Sequence, residues 1–231
     1  TLLLIGEAGI GKSRAVEGAC QQIEETGGLV IATRIVPEAT LTLAPALARA
    51  LEQSETAQEL LRHDVPANLN DVVAGLRRLS RLRPTLVVVE DTHLLEGDGI
   101  RQLGLLLEGL SDETLTLLCS ARPSANVVGT LLEQYPFQQM ELAGLLPSEI
   151  EELWGRLFGV IPDPAITAML ARLTTGNPLA LRSALRGAVT AGIIVQTAGS
   201  GRYVVDSDSE TFIAHIERSS KRIGEGMAAH L

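Results

Sequence analysis

The sequence predicts an α/β chain, with a doubly wound parallel sheet of five strands in residues 1–143 and a smaller helical part in residues 144–231. Three observations lead to this prediction. In the first part, apolar segments of strand length alternate with segments of helical periodicity, which is typical of parallel sheets with helices on both faces. The runs Leu2–Ile5 and Leu86–Val89 are apolar at every position, as are strands buried on both faces. Beyond Gly144, helical patterns predominate.

The elements of the first part follow from local signals. A glycine-rich turn follows the first apolar run, Gly27-Gly28 ends the first helix, and Asn68 or Asn70 caps a later one. Pro84 separates that helix from the next strand, because proline cannot continue a helix. The predicted strands are Thr1–Ile5, Leu29–Val36, Thr85–Glu90, Thr114–Ser120 and Phe137–Leu142. The predicted helices are Lys12–Thr26, 43–62, 68–82, Gly99–Leu110 and Asn126–Gln134.

The second part predicts a helical unit that contains one β-hairpin. Ile193–Gln196 and Arg202–Val205 flank a glycine-rich turn at 198–201, which is the pattern of a hairpin. The combination of helices and a hairpin resembles a winged helix, and we place the boundary with the first part near Ala143 and Gly144. The predicted helices are Pro147–Gly159, Asp163–Thr174, Pro178–Ala191 and 208–222.

The composition is that of a globular protein. Hydrophobic residues make up 45% of the 231 residues, which excludes disorder and suffices for a core without disulfides. No apolar run approaches the roughly 18 residues of a membrane span, and no basic leader precedes the first strand. The two cysteines form no disulfide framework. We therefore expect a cytoplasmic chain and, because Thr1 already begins a strand, a piece of a longer one.

The charge is strongly negative and unevenly distributed. The formal net charge is −9, and nearly all of the excess falls in residues 1–143. Because basic side chains that neutralise phosphates supply most of the affinity for duplex DNA, we expect no direct nucleic-acid binding by this chain. A DNA-binding role for the winged-helix-like second part stays open, although its near-neutral charge favours a structural role.

The first strand runs into a motif that predicts a phosphate-binding loop, G-x-x-x-x-G-K-[ST]. Its residues are Gly6, Glu7, Ala8, Gly9, Ile10, Gly11, Lys12 and Ser13. The glycines allow successive N–H groups to point at an anion, and the following helix adds its free N–H groups and positive dipole end. We expect Lys12 to reach the β- and γ-phosphates of a nucleotide and the Ser13 hydroxyl to bind Mg²⁺. Arg14, next in the helix, joins the predicted nucleotide-binding residues.

Two carboxylates follow the third strand and predict the metal and water sites of a nucleotide hydrolase. Glu90 and Asp91 come directly after four apolar residues. In phosphoryl-transfer sites of this type, one acid holds Mg²⁺ and another residue orients the attacking water. We assign Glu90 to Mg²⁺ and Asp91 to water activation.

Two further residues near the predicted strand ends are candidates for the same site. Arg122 follows the fourth strand, which we expect to lie between the first and third, so its guanidinium would face the γ-phosphate as a sensor. His93, two residues past Asp91, either contacts the nucleotide site or is a buried structural histidine. The four histidines lack the spacing of a zinc site.

These residues make the chain resemble the P-loop ATPase domain of the STAND class, the signal-transduction ATPases with numerous domains, a branch close to AAA+. Gly6–Ser13 matches the Walker A loop of the class, Leu86–Asp91 its Walker B strand, and Leu115–Arg122 its sensor strand. Thr175–Leu181 is similar to the Gly-Asn-Pro motif of its helical lid, and the resemblance implies that Pro178 lies near the adenine. Leu94 stands where the class usually has Trp. This departure from the class concerns the efficiency of hydrolysis more than nucleotide binding.

The resemblance implies a nucleotide-controlled switch in a large bacterial transcription or signalling regulator. ATP or ADP would bind with Mg²⁺, hydrolysis would be slow, and the partners would be further copies of the chain or sensor and output domains. The alternative is an oligomeric AAA+ machine of the replication-initiator or loader type. A binding module with a degenerate site is disfavoured by the intact Lys12, Ser13, Glu90 and Asp91. No guanine-specific motif is present, which weakly favours ATP over GTP.

Overall fold

The computed structural model describes the chain in two compact units, Thr1–Leu142 and Ala143–Leu231. Each unit has a hydrophobic core of its own. The residues described are 1–36, 43–62, 66–111, 113–123, 126–196, 203–205, 211, 212 and 214. Among the helices in these ranges, none has the length and apolarity that crossing a bilayer requires.

The first unit contains a five-stranded parallel sheet in the order β2-β3-β4-β1-β5. This confirms the predicted parallel sheet of five strands. It also confirms that the fourth strand lies between the first and the third. The strands are β1 Leu2–Ile5, β2 Leu29–Arg34, β3 Thr85–Glu90, β4 Leu115–Ala121 and β5 Gln138–Glu141.

Helices cover both faces of this sheet. Val87 and Val89 of β3 pack into the larger core on one face, and Leu86 and Val88 pack with Val16 of the first helix on the other. Burial of each such side chain stabilises the fold by about 1.5–3 kcal/mol, which is why the central strands are apolar at every position. The helices are α1 Lys12–Glu25, α2 Leu43–Gln53, α3 Glu55–Leu61, α4 Leu69–Ser80, α5 Gly97–Gly109 and α6 Asn126–Gln134.

Two predictions for the first unit need correction. The single helix expected over 43–62 is two helices, because Ser54 is the N-cap of α3 and its hydroxyl accepts a hydrogen bond from the Ala57 N–H. The fifth strand is shorter than Phe137–Leu142 and is exposed at all four positions, as befits an edge strand that pairs only with β1. Asn68 does cap α4, as one of the two asparagines was expected to do.

In its described residues, the second unit contains three helices of eleven residues or more and a two-stranded antiparallel pair of strands. Its core surrounds Trp154, which contacts the rings of Phe158 and Phe212. The predicted turn at 198–201 and most of the helix expected at 208–222 lie outside the described residues. The elements are α7 Pro147–Phe158, α8 Pro164–Thr174, α9 Pro178–Thr190, β6 Ile194–Gln196 and β7 Tyr203–Val205.

Candidate nucleotide-binding site

The loop between β1 and α1 has the backbone of an anion-binding turn. Gly9 and Gly11 have φ values of 78° and 112°, in the left-handed region that side chains other than glycine rarely adopt. At Gly6 a Cβ would meet Ile10 Cγ2 at 2.7 Å, so the loop closes on itself only with glycine there. Helix α1 begins at Lys12, so the N–H groups of its first turn face the loop without an intrahelical acceptor. The loop therefore offers N–H donors and a positive helix end to an anion.

The Lys12 side chain is buried inside this loop. Its ammonium donates hydrogen bonds to the carbonyl oxygens of Gly6, at 2.6 Å, and Glu7, at 2.9 Å. Burial lowers the pKa of Lys12 and the charge of Arg122 lowers it further, whereas Asp91 and Glu7 act in the opposite direction. The loop thus holds a cation beside its own N–H groups, a donor set that suits phosphate oxygens.

Ser13 and Glu90 meet at the carboxyl end of the sheet. The Ser13 hydroxyl donates a hydrogen bond of 2.7 Å to Glu90 Oε2, across 77 positions of sequence. Sequence analysis predicted both residues as Mg²⁺ ligands, and the structure brings their oxygens together. Mg²⁺ is usually held by one or two protein oxygens together with substrate phosphates. Within the described residues no cluster of three or more His, Cys, Asp or Glu side chains could hold a metal.

Arg34 joins this pair and was missed by the sequence analysis. It is the last residue of β2 and lies opposite Glu90 in the register with β3. Its guanidinium donates to Glu90 Oε1 at 2.8 Å and to Ser13 Oγ at 3.3 Å, and its Nε lies 3.6 Å from Asp91 Oδ2. Glu90 raises the pKa of Arg34 through the hydrogen bond and through its charge. The sequence offered one signal. Arg34 lies near the carboxyl end of a predicted strand, and Glu90 lies at the carboxyl end of another.

Asp91 is held in an unusual backbone conformation directly after β3. Its φ and ψ are 58° and 38°, and its N–H donates to Ser120 Oγ at 3.3 Å. Thr92 begins a short 3-10 helix, Thr92–Leu94, and its hydroxyl donates to the Ser120 carbonyl oxygen at 2.9 Å. These two hydrogen bonds join Asp91 and Thr92 to Ser120 near the end of β4. They orient the Asp91 carboxylate without burying it.

Arg122 and His93 complete the group around the loop. Arg122 comes directly after β4 and is exposed, and its charge lowers the pKa of both Lys12 and His93. The His93 side chain is only 9% exposed, and its Nδ1 lies 4.0 Å from Asp91 Oδ1. The expected position of Arg122 at the end of the central strand is therefore the observed one, and His93 lies beside Asp91.

Two other predicted binding residues belong to the first turns of helices, Arg14 to α1 and Pro178 to α9. Arg14 is in the first turn of α1, but its exposed side chain pairs with Glu17 at 2.6 Å on the outer face of that helix. At the end of α1 that faces the loop, Arg14 therefore presents its backbone and not its side chain. Pro178 is the first residue of α9, in the second unit, and lines a cavity of about 680 Å³ between α7 and α9.

Comparisons with known proteins show a similarity of fold to solved structures. No protein-family profile matches the sequence, and no curated protein matches it either. Three solved structures are similar at 14–16% identity and TM-scores of 0.51–0.58. They are a variant of RuvB from Thermotoga maritima, Drosophila ORC bound to DNA, and Aeropyrum pernix ORC1 in complex with DNA.

These similarities span almost all of the chain but only part of each neighbour. RuvB covers 94% of this chain, with a TM-score of 0.51 and 14% identity. Drosophila ORC covers 96%, with a TM-score of 0.58 and 14% identity, and the Aeropyrum ORC1 covers 96%, with 0.54 and 16%. The chain spans 59–61% of the length of these proteins. The chain therefore shares its fold with these three proteins.

Proposed function

We propose that the chain is the ATP- and Mg²⁺-binding switch domain of a STAND-class regulator and hydrolyses ATP slowly. The observation that carries this proposal is the hydrogen bond between Ser13 and Glu90, which joins the phosphate-binding loop to the acidic strand end. Residues 1–143 act as the nucleotide-binding domain and residues 144–231 as its lid.

The site residues divide the work of binding and hydrolysis. The N–H groups of the loop and the Lys12 ammonium hold the nucleotide phosphates. Ser13 and Glu90 hold Mg²⁺, which supplies charge neutralisation at the phosphates. Asp91 orients the attacking water and accepts its proton, and Arg122 contacts the γ-phosphate. Pro178 remains a candidate for a place near the adenine, on the resemblance to the class alone.

The slow rate in this proposal has a local cause. Arg34 donates a hydrogen bond to Glu90, and its Nε lies 3.6 Å from Asp91, so one guanidinium is shared between the two carboxylates. A carboxylate held by a guanidinium has fewer free oxygen lone pairs to offer to a metal ion or a water. Hydrolysis then requires Arg34 to release the acids, which adds a conformational step to each turnover.

The switch works through a difference in affinity between two states of the domain. A ligand shifts an equilibrium only if it binds the two states differently. We propose that ATP favours an open or self-associating state, that ADP favours a closed one, and that the lid of residues 144–231 is the element that moves. The partners are then other copies of the chain or further domains of a longer protein.

The second candidate function is a working AAA+ machine. It is favoured by the similarity of the fold to RuvB and to two origin-recognition proteins bound to DNA. Such machines complete their sites with an arginine from a neighbouring subunit, so turnover per chain rises with protein concentration.

The two candidates are separated by measuring ATP turnover per chain against protein concentration, together with sedimentation in ATP and in ADP. The switch predicts slow turnover that is independent of concentration and a change in sedimentation between the two nucleotides. Fast turnover that rises with concentration would favour the machine. Identical sedimentation in ATP and ADP would contradict the switch.

A further inference from the structure

His93 carries a buried polar atom that lacks a hydrogen-bond partner. The side chain is 9% exposed, and among the described residues its Nδ1 is one of two fully buried side-chain polar atoms without a partner. The great majority of buried polar atoms in folded proteins are hydrogen-bonded. The free energy lost at such an atom is therefore recovered only if a partner reaches it in another state of the protein.

The carboxylate of Asp91 is an acceptor that lies close to Nδ1. Its Oδ1 lies 4.0 Å away, about 1 Å beyond hydrogen-bond distance. The Asp91 side chain is partly exposed and comes from a backbone with positive φ, whereas His93 is fixed on the 3-10 helix that Thr92 ties to Ser120. A small movement of the carboxylate is therefore sufficient to close the gap.

Burial of His93 and two nearby cations favour its neutral imidazole by lowering its pKa. Burial lowers the pKa of His93, and the positive charges of Arg122 and Lys12 lower it further, against the opposite effect of Asp91. A neutral imidazole has one N–H donor, and the ring nitrogen that faces a carboxylate carries the proton. The contact that forms is then a hydrogen bond from a neutral donor.

We infer that His93 is a positioning residue for hydrolysis: its Nδ1–H donates to Asp91 when the nucleotide is bound and fixes the carboxylate toward the attacking water. The inference rests on the proposed ATPase function and adds a residue to it. His93 itself touches neither the water nor the phosphates. Its effect is on the orientation of Asp91, so it acts on the chemical step and not on nucleotide affinity.

Three substitutions test this role. His93→Leu removes the donor, His93→Asn keeps an N–H donor near the position of Nδ1, and His93→Gln places its amide near Nε2 instead. We expect His93→Leu to lower the single-turnover rate about 10- to 100-fold, as the loss of an orienting partner does, with the Kd for ATP within about twofold of wild type. His93→Asn restores most of the rate, and His93→Gln does not.

The outcomes distinguish this inference from the proposed function. Wild-type hydrolysis that His93→Leu leaves unchanged, or equal losses in all three variants, would overturn the role of His93 alone. A wild-type chain that binds ATP but never hydrolyses it would overturn the inference together with the hydrolysis part of the proposal. Thermal melting of each variant, with the Asn variant as the folded reference, shows whether a lost rate reflects lost structure.

Discussion

The guanidinium of Arg34 donates a hydrogen bond of 2.8 Å to the carboxylate of Glu90, from the last residue of one strand to the last residue of the strand beside it. The two residues are paired in the sheet register, so the contact follows from the parallel alignment of β2 and β3. It places a cation on the carboxylate that we assign to Mg²⁺, and within reach of the carboxylate that we assign to water activation.

Removal of this guanidinium should speed hydrolysis. Because the Arg34 side chain is half exposed, its ion pairs are worth about 0.2–1 kcal/mol, and Arg34→Ala should raise the turnover rate roughly two- to fivefold. Phosphate release at saturating ATP and Mg²⁺ measures this. Arg34→Lys is the matched control, since it keeps the charge but loses the planar fork. A slower Arg34→Ala variant would instead make Arg34 a contributor to catalysis.

The division of roles between the two acids predicts different effects for two substitutions. Asp91→Asn should lower hydrolysis at least about 100-fold and leave ATP binding nearly unchanged, because the proton acceptor is lost. Asparagine tolerates the positive φ of this position, so the backbone is kept. Glu90→Gln should chiefly weaken the dependence of ATP binding on Mg²⁺. Titrations at several Mg²⁺ concentrations, with single-turnover rates, test both. The opposite pattern would exchange the two assignments.

The orientation of α5 predicts unequal effects of the same substitution at two neighbouring leucines. Leu103 is fully buried and Leu105 is 50% exposed. Leu103→Ala should lower the free energy of unfolding by about 2–5 kcal/mol, and Leu105→Ala by about 0.5 kcal/mol or less. Urea unfolding followed by circular dichroism measures the difference, while the fluorescence of Trp154, the single tryptophan, follows the second unit separately. Equal losses at the two positions would contradict the described packing.

The charge of the chain predicts weak, non-specific contact with DNA at most. The net charge is −9, and most of the affinity for a duplex comes from cations that neutralise phosphates. Two of the similar structures are complexes with DNA, so the expectation deserves a direct measurement. Anisotropy of a labelled duplex between about 50 and 200 mM salt should show no saturable binding. Tight binding that weakens steeply with salt would overturn the expectation.

Local sequence signals predicted most of the helices and strands of the first unit. The sequence predicted a helix over Gly99–Leu110, where α5 buries Leu103 and Leu106, and the apolar runs predicted the central strands. The loop from Gly6 to Ser13 was found from its motif because its residues are consecutive, so the spacing alone defines the turn.

Contacts between distant segments could not be predicted in the same way. The pairing of Arg34 with Glu90 depends on the register of two strands that lie 56 positions apart, and no local pattern specifies a register. The gap between His93 and Asp91 depends on the conformation of a single backbone position with φ of 58°. The break at Ser54 was missed because the segments on both sides of it are helical, although serine is a preferred N-cap.

The measurement that tests the account most directly is a calorimetric titration of ATP with Mg²⁺, and separately of ADP, into the wild-type chain and Lys12→Ala. Arg101→Ala, which removes one exposed charge from α5, is the control. The account predicts saturable binding by wild type and Arg101→Ala, and at least about tenfold weaker binding by Lys12→Ala, because a charged hydrogen-bond donor to phosphate is lost. Equal affinity of Lys12→Ala and wild type would contradict the assignment of the loop from Gly6 to Ser13 as the phosphate site.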